Sequence, residues 1–355
     1  MNRDAIRAAD ETGDETGDET GARAPARGET VVAVLCDDDD GDDGPPGLEH
    51  RLPDVRVRRA TGGELAGALP GCDVLFAWDF NSGELESAWP AADRLRWVHA
   101  ASAGVDRLMF EGLVDSEVVV TNSRGVFEQP IAEYVLGLVL GFSKDLARTR
   151  DLQRERTWRH RDTEMLAGAR VVVVGAGPIG RAIGALLAAV GVRTTLVGRT
   201  ARTDPELGEV RAVGELRSIV ADADFVVGAL PLTAETTGIF DASLFAAMPR
   251  HARFVNVGRG PSVVEHDLVA ALRDGEIAGA ALDVFATEPL PSPDPLWDTD
   301  GLLVSPHMAG DATGWREQLV LLFLDNLDRW HRGEPLRNRV DKRRGYVPAP
   351  GTSPP

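Results

Sequence analysis

The stretch RVVVVGAGPIGRAIGALLAAVGVRTTLVGR, residues 170–199, decides the fold. Its run of four valines predicts a buried strand that leads directly into the turn Gly175-Ala176-Gly177-Pro178-Ile179-Gly180. Apolar residues at helical spacing follow the turn and lead to a second apolar run, TTLV. The order of strand, glycine-rich turn, helix and strand is typical of a dinucleotide-binding unit, although the glycine pattern alone would also fit an ordinary turn.

The glycines of this turn have separate roles in the predicted site. Gly175 permits the tight turn, Gly177 lets the backbone approach a pyrophosphate, and Gly180 lets the helix pack on the strand. The N–H groups at the start of the helix would bind the phosphates. A proline is acceptable there because the first helical turn does not need its N–H. The predicted pyrophosphate-binding residues are Gly175, Gly177, Pro178, Ile179 and Gly180.

The end of the second strand predicts which nicotinamide cofactor is bound. An acidic residue normally accepts the ribose 2′-hydroxyl of NAD at this point, but the chain has Gly198 there, followed by Arg199-Thr200-Ala201-Arg202. Guanidinium groups suit a 2′-phosphate, so the sequence predicts a preference for NADP(H) through Arg199, Thr200 and Arg202. The alternative is that both arginines are solvated and that NAD(H) is accepted as well.

Three later apolar runs each end in a polar side chain within a turn: Arg259 in RFVNVGRG, Glu288 in AGAALDVFATEP and His307 in LLVSPHMAGD. The carboxyl ends of parallel strands face the ligand crevice, so these side chains are expected to converge. An arginine can hold a carboxylate and polarise a carbonyl, and a histidine oriented by a glutamate can transfer a proton. The set suits a redox step between a carbonyl and an alcohol, although each residue alone also has an ordinary structural explanation.

Composition excludes several other classes of function. The 355 residues carry a formal charge of −18, but residues 1–50 contain 15 acidic and 4 basic side chains and so account for −11 of it. The remainder has no basic stripe for nucleic acid. Two cysteines, Cys36 and Cys72, make neither a disulfide framework nor a zinc site, and no metal site is predicted. Without a long apolar run or a signal-like N-terminus, the predicted location is the cytoplasm, with no membrane partner.

Apolar runs alternating with helical stretches predict an α/β fold with parallel sheets. Strands are predicted at 31–35, 73–78, 96–100 and 117–122, and helical spacing from Ile131 to Leu146 predicts one long helix between two domains. The repetitive acidic segment 1–28 and the Pro-rich segment 338–355 lack buriable residues, and both are predicted to be disordered.

Together these segments make the chain resemble the D-isomer-specific 2-hydroxyacid dehydrogenases. The resemblance covers roughly residues 29–337 and depends on GAGPIG, PLTAETTGIF, FVNVGRGPSVVEHDLVAALRDGEIAGAALDVFATEPLP and SPHMAG. It implies two Rossmann-like, doubly wound domains: a discontinuous substrate domain, 29–124 and 305–337, and a cofactor domain, 125–304. It also implies a homodimer through the long helix and its flanks, which a monomer mass in light scattering would contradict.

The resemblance further implies roles for single residues. Arg259 would bind the carboxylate and carbonyl oxygen of a small 2-keto or 2-hydroxy acid, and His307, paired with Glu288, would be the acid/base. The loop ASAGVD would receive the carboxylate on the N–H groups of Ala103 and Gly104. The remaining residues implied to line the cofactor are Leu230, Pro231, Val257, Gly258 and Asp283, the last of them at the nicotinamide amide.

Other functions stay open at this point. Relatives of this fold act as corepressors that sense a dinucleotide without turnover, and a related oxidoreductase could act on phosphite or a phosphorylated substrate if the pocket held a further basic residue. Trp315 could shape the substrate pocket or pack in the core.

Overall fold

The computed structural model describes residues 25–37, 44–79 and 82–348. Its strands are β1 Val31–Leu35, β2 Arg56–Ala60, β3 Val74–Ala77, β4 Trp97–Ala100, β5 Val119–Thr121, β6 Arg170–Val174, β7 Arg193–Gly198, β8 Arg202–Asp204, β9 Gly208–Ala212, β10 Phe225–Gly228, β11 Arg253–Asn256, β12 Gly279–Leu282 and β13 Leu302–Val304. Its helices are α1 Leu48–Arg51, α2 Leu65–Ala68, α3 Glu84–Ala88, α4 Glu111–Val114, α5 Glu128–Ser143, α6 Leu146–Arg154, α7 Pro178–Ala189, α8 Leu216–Val220, α9 Ala242–Phe245, α10 Glu265–Arg273 and α11 Trp315–Arg332.

Two separate sheets confirm the predicted α/β class with parallel sheets. The first has the strand order β2-β1-β3-β4-β5, and all its pairs are parallel. The second has the order β13-β12-β11-β10-β6-β7-β9-β8 and is parallel except for the pair β8 and β9. Central strands such as β1, VVAVL, are buried along their whole length, as expected where helices cover both faces of a sheet.

The last helix returns to the first sheet. Phe323 of α11 stacks on Phe76 of β3, with ring centroids 4.2 Å apart, and on Trp97 of β4 at 5.4 Å. The chain thus covers the first sheet with a helix that follows the last strand of the second. This packing accords with the discontinuous substrate domain, 29–124 and 305–337, and the cofactor domain, 125–304, whose boundaries stay a prediction.

The predicted long helix is wrong in its length. Helix α5 ends at Ser143, and α6 begins at Leu146 after Asp145, which has a positive φ of 48°. Aspartate tolerates this left-handed conformation better than most residues, and Arg161 binds both the Asp145 carboxylate (2.8 Å) and its carbonyl (2.7 Å). The apolar spacing continues across the break, so periodicity did not reveal it.

The predicted disorder of both ends is only partly tested. Residues 1–24 and 349–355 lie outside the described residues, but residues 25–28 and 338–348 do not, and for these the prediction is wrong. Arg27 pairs with Asp328 on α11. Val340 is buried, and its N–H donates to the carbonyl of Val120 at 2.8 Å. Composition does not reveal these contacts, because the two segments pack against a surface that other elements of the fold provide. Such packing buries few apolar side chains of the segments themselves.

No helix within the described residues is long and apolar enough to cross a membrane. Four of the large apolar side chains that are exposed lie between residues 140 and 165: Leu140, Leu146, Trp158 and Met165. Exposed apolar side chains that form a contiguous patch are typical of an interaction site, and these four belong to one stretch of the chain. The homodimer through this region stays a prediction.

Removal of the stacked ring on α11 should destabilise the protein. Phe323 is fully buried between aromatic rings, and a Phe to Ala change in a core costs about 3–5 kcal/mol. We expect Phe323→Ala to lower the free energy of unfolding in urea by that amount. The control Leu321→Ala changes a side chain on the same helix that is 36% exposed and should cost less than about 1 kcal/mol. Equal losses would contradict the packing.

Candidate functional site

The glycine-rich turn between β6 and α7 has the geometry that a pyrophosphate site needs. Gly175 has φ +127°, and a Cβ there would lie 2.3 Å from the Ala229 carbonyl oxygen. A Cβ on Gly180 would lie 1.6 Å from the Gly175 oxygen, so only glycine allows the helix this close to the strand. A Cβ on Gly177 would meet no described atom within 4 Å, so protein packing does not explain that glycine, whereas close approach of a phosphate would. Pro178 begins α7 as predicted.

The end of β7 places two guanidinium groups beside this turn. Arg202 Nη2 donates to the carbonyl of Ala176 at 2.8 Å, and Arg199 and Thr200 are exposed. The acid of the neighbouring hairpin, Asp204, is buried and paired with Arg181 on α7. Its carboxylate also accepts from backbone N–H groups, so it does not replace the missing ribose acid. The donor set fits an adenosine 2′-phosphate.

Strands β10 and β11 bring the other predicted cofactor residues together at their carboxyl ends. The Val257 N–H donates to the Gly228 carbonyl at 3.0 Å, and a Cβ on Gly258 would lie 2.8 Å from the backbone N and O of Leu230. Leu230 is half-buried and Pro231 is exposed. Both follow the carboxyl end of β10, the edge at which a doubly wound sheet binds a nucleotide, and their contact with the cofactor stays a prediction.

Arg259 meets the predicted substrate loop. Its Nε donates to Asp106 Oδ1 at 3.0 Å and its Nη1 to the carbonyl of Gly258 at 3.0 Å. Its Nη2 lies so close to Gly104 that a Cβ there would be 1.7 Å away. Within the described residues, the N–H groups of Ala103 and Gly104 donate to no protein acceptor. The guanidinium of Arg259 therefore lies against a loop with two N–H groups that have no protein acceptor in the described part of the chain, and this arrangement fits a carboxylate.

His307 and Glu288 form a direct pair. His307 Nδ1 lies 2.8 Å from Glu288 Oε2, and Glu288 Oε1 accepts the N–H of Phe285 at 2.8 Å. Burial by itself would raise the pKa of Glu288, but the hydrogen bond and charge of His307, with smaller contributions from the Phe285 N–H and the charge of Arg259, hold that pKa below its ordinary value. The carboxylate therefore stays ionised at neutral pH, and Arg259 lies close enough to act on it.

Asp283 holds the loop that carries His307. It is 2% exposed, and its carboxylate accepts the Ser305 hydroxyl at 2.6 Å, the Met308 N–H at 3.0 Å and the Ala309 N–H at 2.9 Å. The backbone of His307 has a positive φ of 52°, and its N–H donates to the Asp283 carbonyl at 2.8 Å. Contact with a nicotinamide amide stays a prediction, since these protein donors already bind both oxygens.

Sequence reasoning missed several residues of the site. Asp106 lies in the loop ASAGVD, and no local signal in the sequence indicates its partner Arg259. Burial raises the pKa of Tyr134 on α5, although interaction of its phenol with Ser305 opposes this shift. Burial also raises the pKa of Asp311, although the charge of His307 opposes this shift. These residues are identified only by their contacts with residues that are distant in the sequence.

Trp315 packs against the core, which is one of the two roles that its sequence position leaves open, and a role in the substrate pocket stays a prediction. It packs on Phe127, with ring centroids 6.1 Å apart. It also lines a cavity of about 360 Å³ between Gly44, Pro46 and residues 311–317. Across the residues that the structure describes, no cluster of His, Cys, Asp or Glu has the arrangement of a metal site.

Known proteins share this architecture. The family model described as D-isomer specific 2-hydroxyacid dehydrogenase, NAD binding domain, matches residues 136–309. Glyoxylate/hydroxypyruvate reductase A of Klebsiella pneumoniae strain 342 is 30% identical over 310 residues, which cover 84% of this chain and 94% of the relative.

Two solved structures are similar over nearly the whole fold. One is a D-isomer specific 2-hydroxyacid dehydrogenase of Xanthobacter autotrophicus Py2 in complex with NADPH and MES, 34% identical, with a TM-score of 0.77 over 89% of this chain and 99% of that chain. The other is an NADPH-dependent glyoxylate/hydroxypyruvate reductase of Sinorhizobium meliloti in complex with NADP and sulfate, 30% identical, with a TM-score of 0.78 over 89% and 100%.

These findings confirm the predicted class of enzyme, an NAD(P)-dependent oxidoreductase acting on a CH–OH group, and they lend no support to a corepressor-like sensor. The match extends across both sheets and includes the glycine-rich turn and the loop of His307. The chain therefore belongs to the family of D-isomer-specific 2-hydroxyacid dehydrogenases.

Proposed function

We propose that the protein reduces a small 2-keto acid, such as glyoxylate or hydroxypyruvate, to the D-2-hydroxy acid with NADPH as the preferred cofactor and NADH as the weaker one. The observation that carries the proposal is the pairing of His307 with Glu288 at 2.8 Å beside Arg259 and the substrate loop. The Klebsiella and Sinorhizobium relatives, both named as glyoxylate/hydroxypyruvate reductases, support the substrate class.

The substrate carboxylate binds to the group of N–H donors around Arg259. Nη2 of Arg259 lies beside Gly104, and the N–H groups of Ala103 and Gly104 donate to no protein acceptor among the described residues, so these groups are available as donors to a planar carboxylate. Asp106 keeps the guanidinium in this orientation through Nε. A positive charge beside the adjacent keto oxygen polarises that carbonyl toward reduction.

Proton transfer to the keto oxygen is the role of His307. Its Nδ1 faces Glu288, which leaves Nε2 as the nitrogen that can reach a substrate. The ionised Glu288 stabilises the imidazolium form, which donates the proton as the carbonyl becomes an alcohol. A bound nicotinamide supplies the hydride in this chemistry.

The cofactor preference depends on Arg199, Thr200 and Arg202 at the end of β7. The first acid after β7, Asp204, is buried and paired with Arg181, so it is not available to accept the ribose 2′-hydroxyl. Both similar solved structures contain NADPH or NADP, which supports the same choice here.

A panel of 2-keto acids tests the function directly. We expect oxidation of NADPH, followed by its absorbance, with glyoxylate and hydroxypyruvate, and a lower kcat/KM with NADH. His307→Asn should reduce kcat by ~10²–10⁴-fold because the proton donor is lost. Calorimetric titration of that variant with NADPH should give an unchanged Kd. Binding of NADPH without turnover of any 2-keto acid by the wild type would contradict the proposal.

The pH profile of keto-acid reduction tests the pair. The pKa of Glu288 is held below its ordinary value, so the carboxylate that orients His307 stays ionised at neutral pH and is protonated only as the pH falls through that lowered pKa. Glu288→Gln removes the titrating carboxylate, so we expect a lower kcat/KM at neutral pH and loss of the fall in kcat/KM that protonation of Glu288 causes on the acid side. The matched control is Glu265→Gln, whose carboxylate binds the Ala286 N–H at 2.8 Å and has no contact with His307. Identical pH profiles of kcat/KM for the wild type, Glu288→Gln and Glu265→Gln would rule out the assigned role of Glu288.

A further inference from the structure

The last part of the described chain connects the first sheet to the cofactor-binding edge of the second. We call residues 338–346 the C-terminal strap. It begins on the first sheet, where Asn338 Nδ2 donates to the carbonyls of Asn122 at 3.2 Å and Arg124 at 2.7 Å. Val340 then pairs with β5 and is buried. These contacts fix the beginning of the strap.

A turn at the end of the strap is held from both sides. Lys342 Nζ donates to the carbonyls of Leu113 at 2.9 Å and Ser116 at 2.5 Å. The Asp341 N–H donates to the carbonyl of Tyr346 at 3.1 Å, which closes the turn, and the Asp341 carboxylate accepts the N–H of Arg344 at 3.0 Å. The position of Tyr346 is therefore set by anchors on the first sheet.

Tyr346 contacts Arg199 in two ways. Arg199 Nη2 donates to the Tyr346 hydroxyl at 3.0 Å, and the guanidinium lies 6.0 Å from the centre of the Tyr346 ring. Arg199 directly follows β7 and is otherwise exposed. An exposed arginine samples many rotamers, and both contacts restrict that freedom.

We propose that Tyr346 is a positioning residue that holds Arg199 ready for the 2′-phosphate of NADP(H), so that a residue on the strap contributes to cofactor specificity. The inference rests on the proposed cofactor preference. A guanidinium has five N–H donors, and Tyr346 occupies one of them, which leaves enough for bidentate binding of a phosphate. Preorganisation of the side chain reduces the entropy lost on binding.

The charges around Arg199 explain why an uncharged positioning residue is useful there. Glu235, in the exposed loop after Pro231, has its pKa lowered by a hydrogen bond with Thr233 and, in smaller part, by the charge of Arg199. Its carboxylate is therefore a competing partner for the guanidinium. The neutral hydroxyl of Tyr346 holds Arg199 without adding a negative charge that would repel a phosphate.

Binding of cofactor fragments tests this proposal apart from activity. Adenosine 2′,5′-bisphosphate and 5′-AMP would be titrated calorimetrically into the full-length protein and into Tyr346→Ala, Tyr346→Phe and Arg199→Ala. We expect Tyr346→Ala to weaken binding of the bisphosphate by about 3–10-fold without changing the Kd of 5′-AMP. The Kd of Tyr346→Phe for the bisphosphate should lie between the values for Tyr346→Ala and the wild type. The control is Arg343→Ala, which removes an exposed cation from the same turn and should leave both Kd values unchanged.

The outcomes separate the inference from the proposed function. If Arg199→Ala weakens the bisphosphate selectively and Tyr346→Ala does not, or if Tyr346→Ala binds it more tightly, Tyr346 is not a positioning residue. Equal weakening of both fragments by Tyr346→Ala would likewise overturn the inference, because it indicates a general structural role. If Arg199→Ala leaves both Kd values unchanged, the proposed cofactor preference fails and the role of Tyr346 fails with it.

Discussion

The geometry of the site depends on one buried carboxylate. Asp283 is 2% exposed and accepts three hydrogen bonds from residues 305–309. A buried carboxylate is costly unless its oxygens are satisfied, so these bonds hold the loop in a single conformation. His307 lies within this loop and has a left-handed backbone conformation that a histidine rarely adopts in isolation. Asp283 therefore determines where the imidazole points, and Glu288 determines how its proton is held.

The opposite side of the site is held by an ion pair between the two sheets. Arg259 follows β11 of the second sheet, and Asp106 lies in the loop after β4 of the first, with both side chains about one quarter exposed. Their bond orients the guanidinium and also fixes the substrate loop against it. A pair this exposed adds little to stability, so its main consequence is geometric. The pair holds a cation against the loop that carries the N–H groups of Ala103 and Gly104.

Local sequence signals predicted most of the fold and the main side chains of the site. The turn from Gly175 to Gly180 and the polar ends of three strands are local patterns, and the structure places them at the carboxyl ends of one sheet. The partners of these residues could not be predicted in the same way. Asp106 is 153 positions from Arg259, and Tyr346 is 147 positions from Arg199. No period or turn signal relates residues so distant, and only the packing of the two sheets brings them together.

Each place where the chain passes between the sheets lies at the site. After β5 the chain leaves the first sheet at Asn122, whose amide donates to the carbonyl of Ala103 at 2.6 Å in the substrate loop. It returns through the loop of His307, and the C-terminal strap then reaches back to Arg199. Any rotation of one sheet relative to the other must alter all three connections together. The proposed substrate-binding residues and the proposed adenosine-binding residues therefore depend on the same relative placement of the two sheets, although they lie in different parts of the fold.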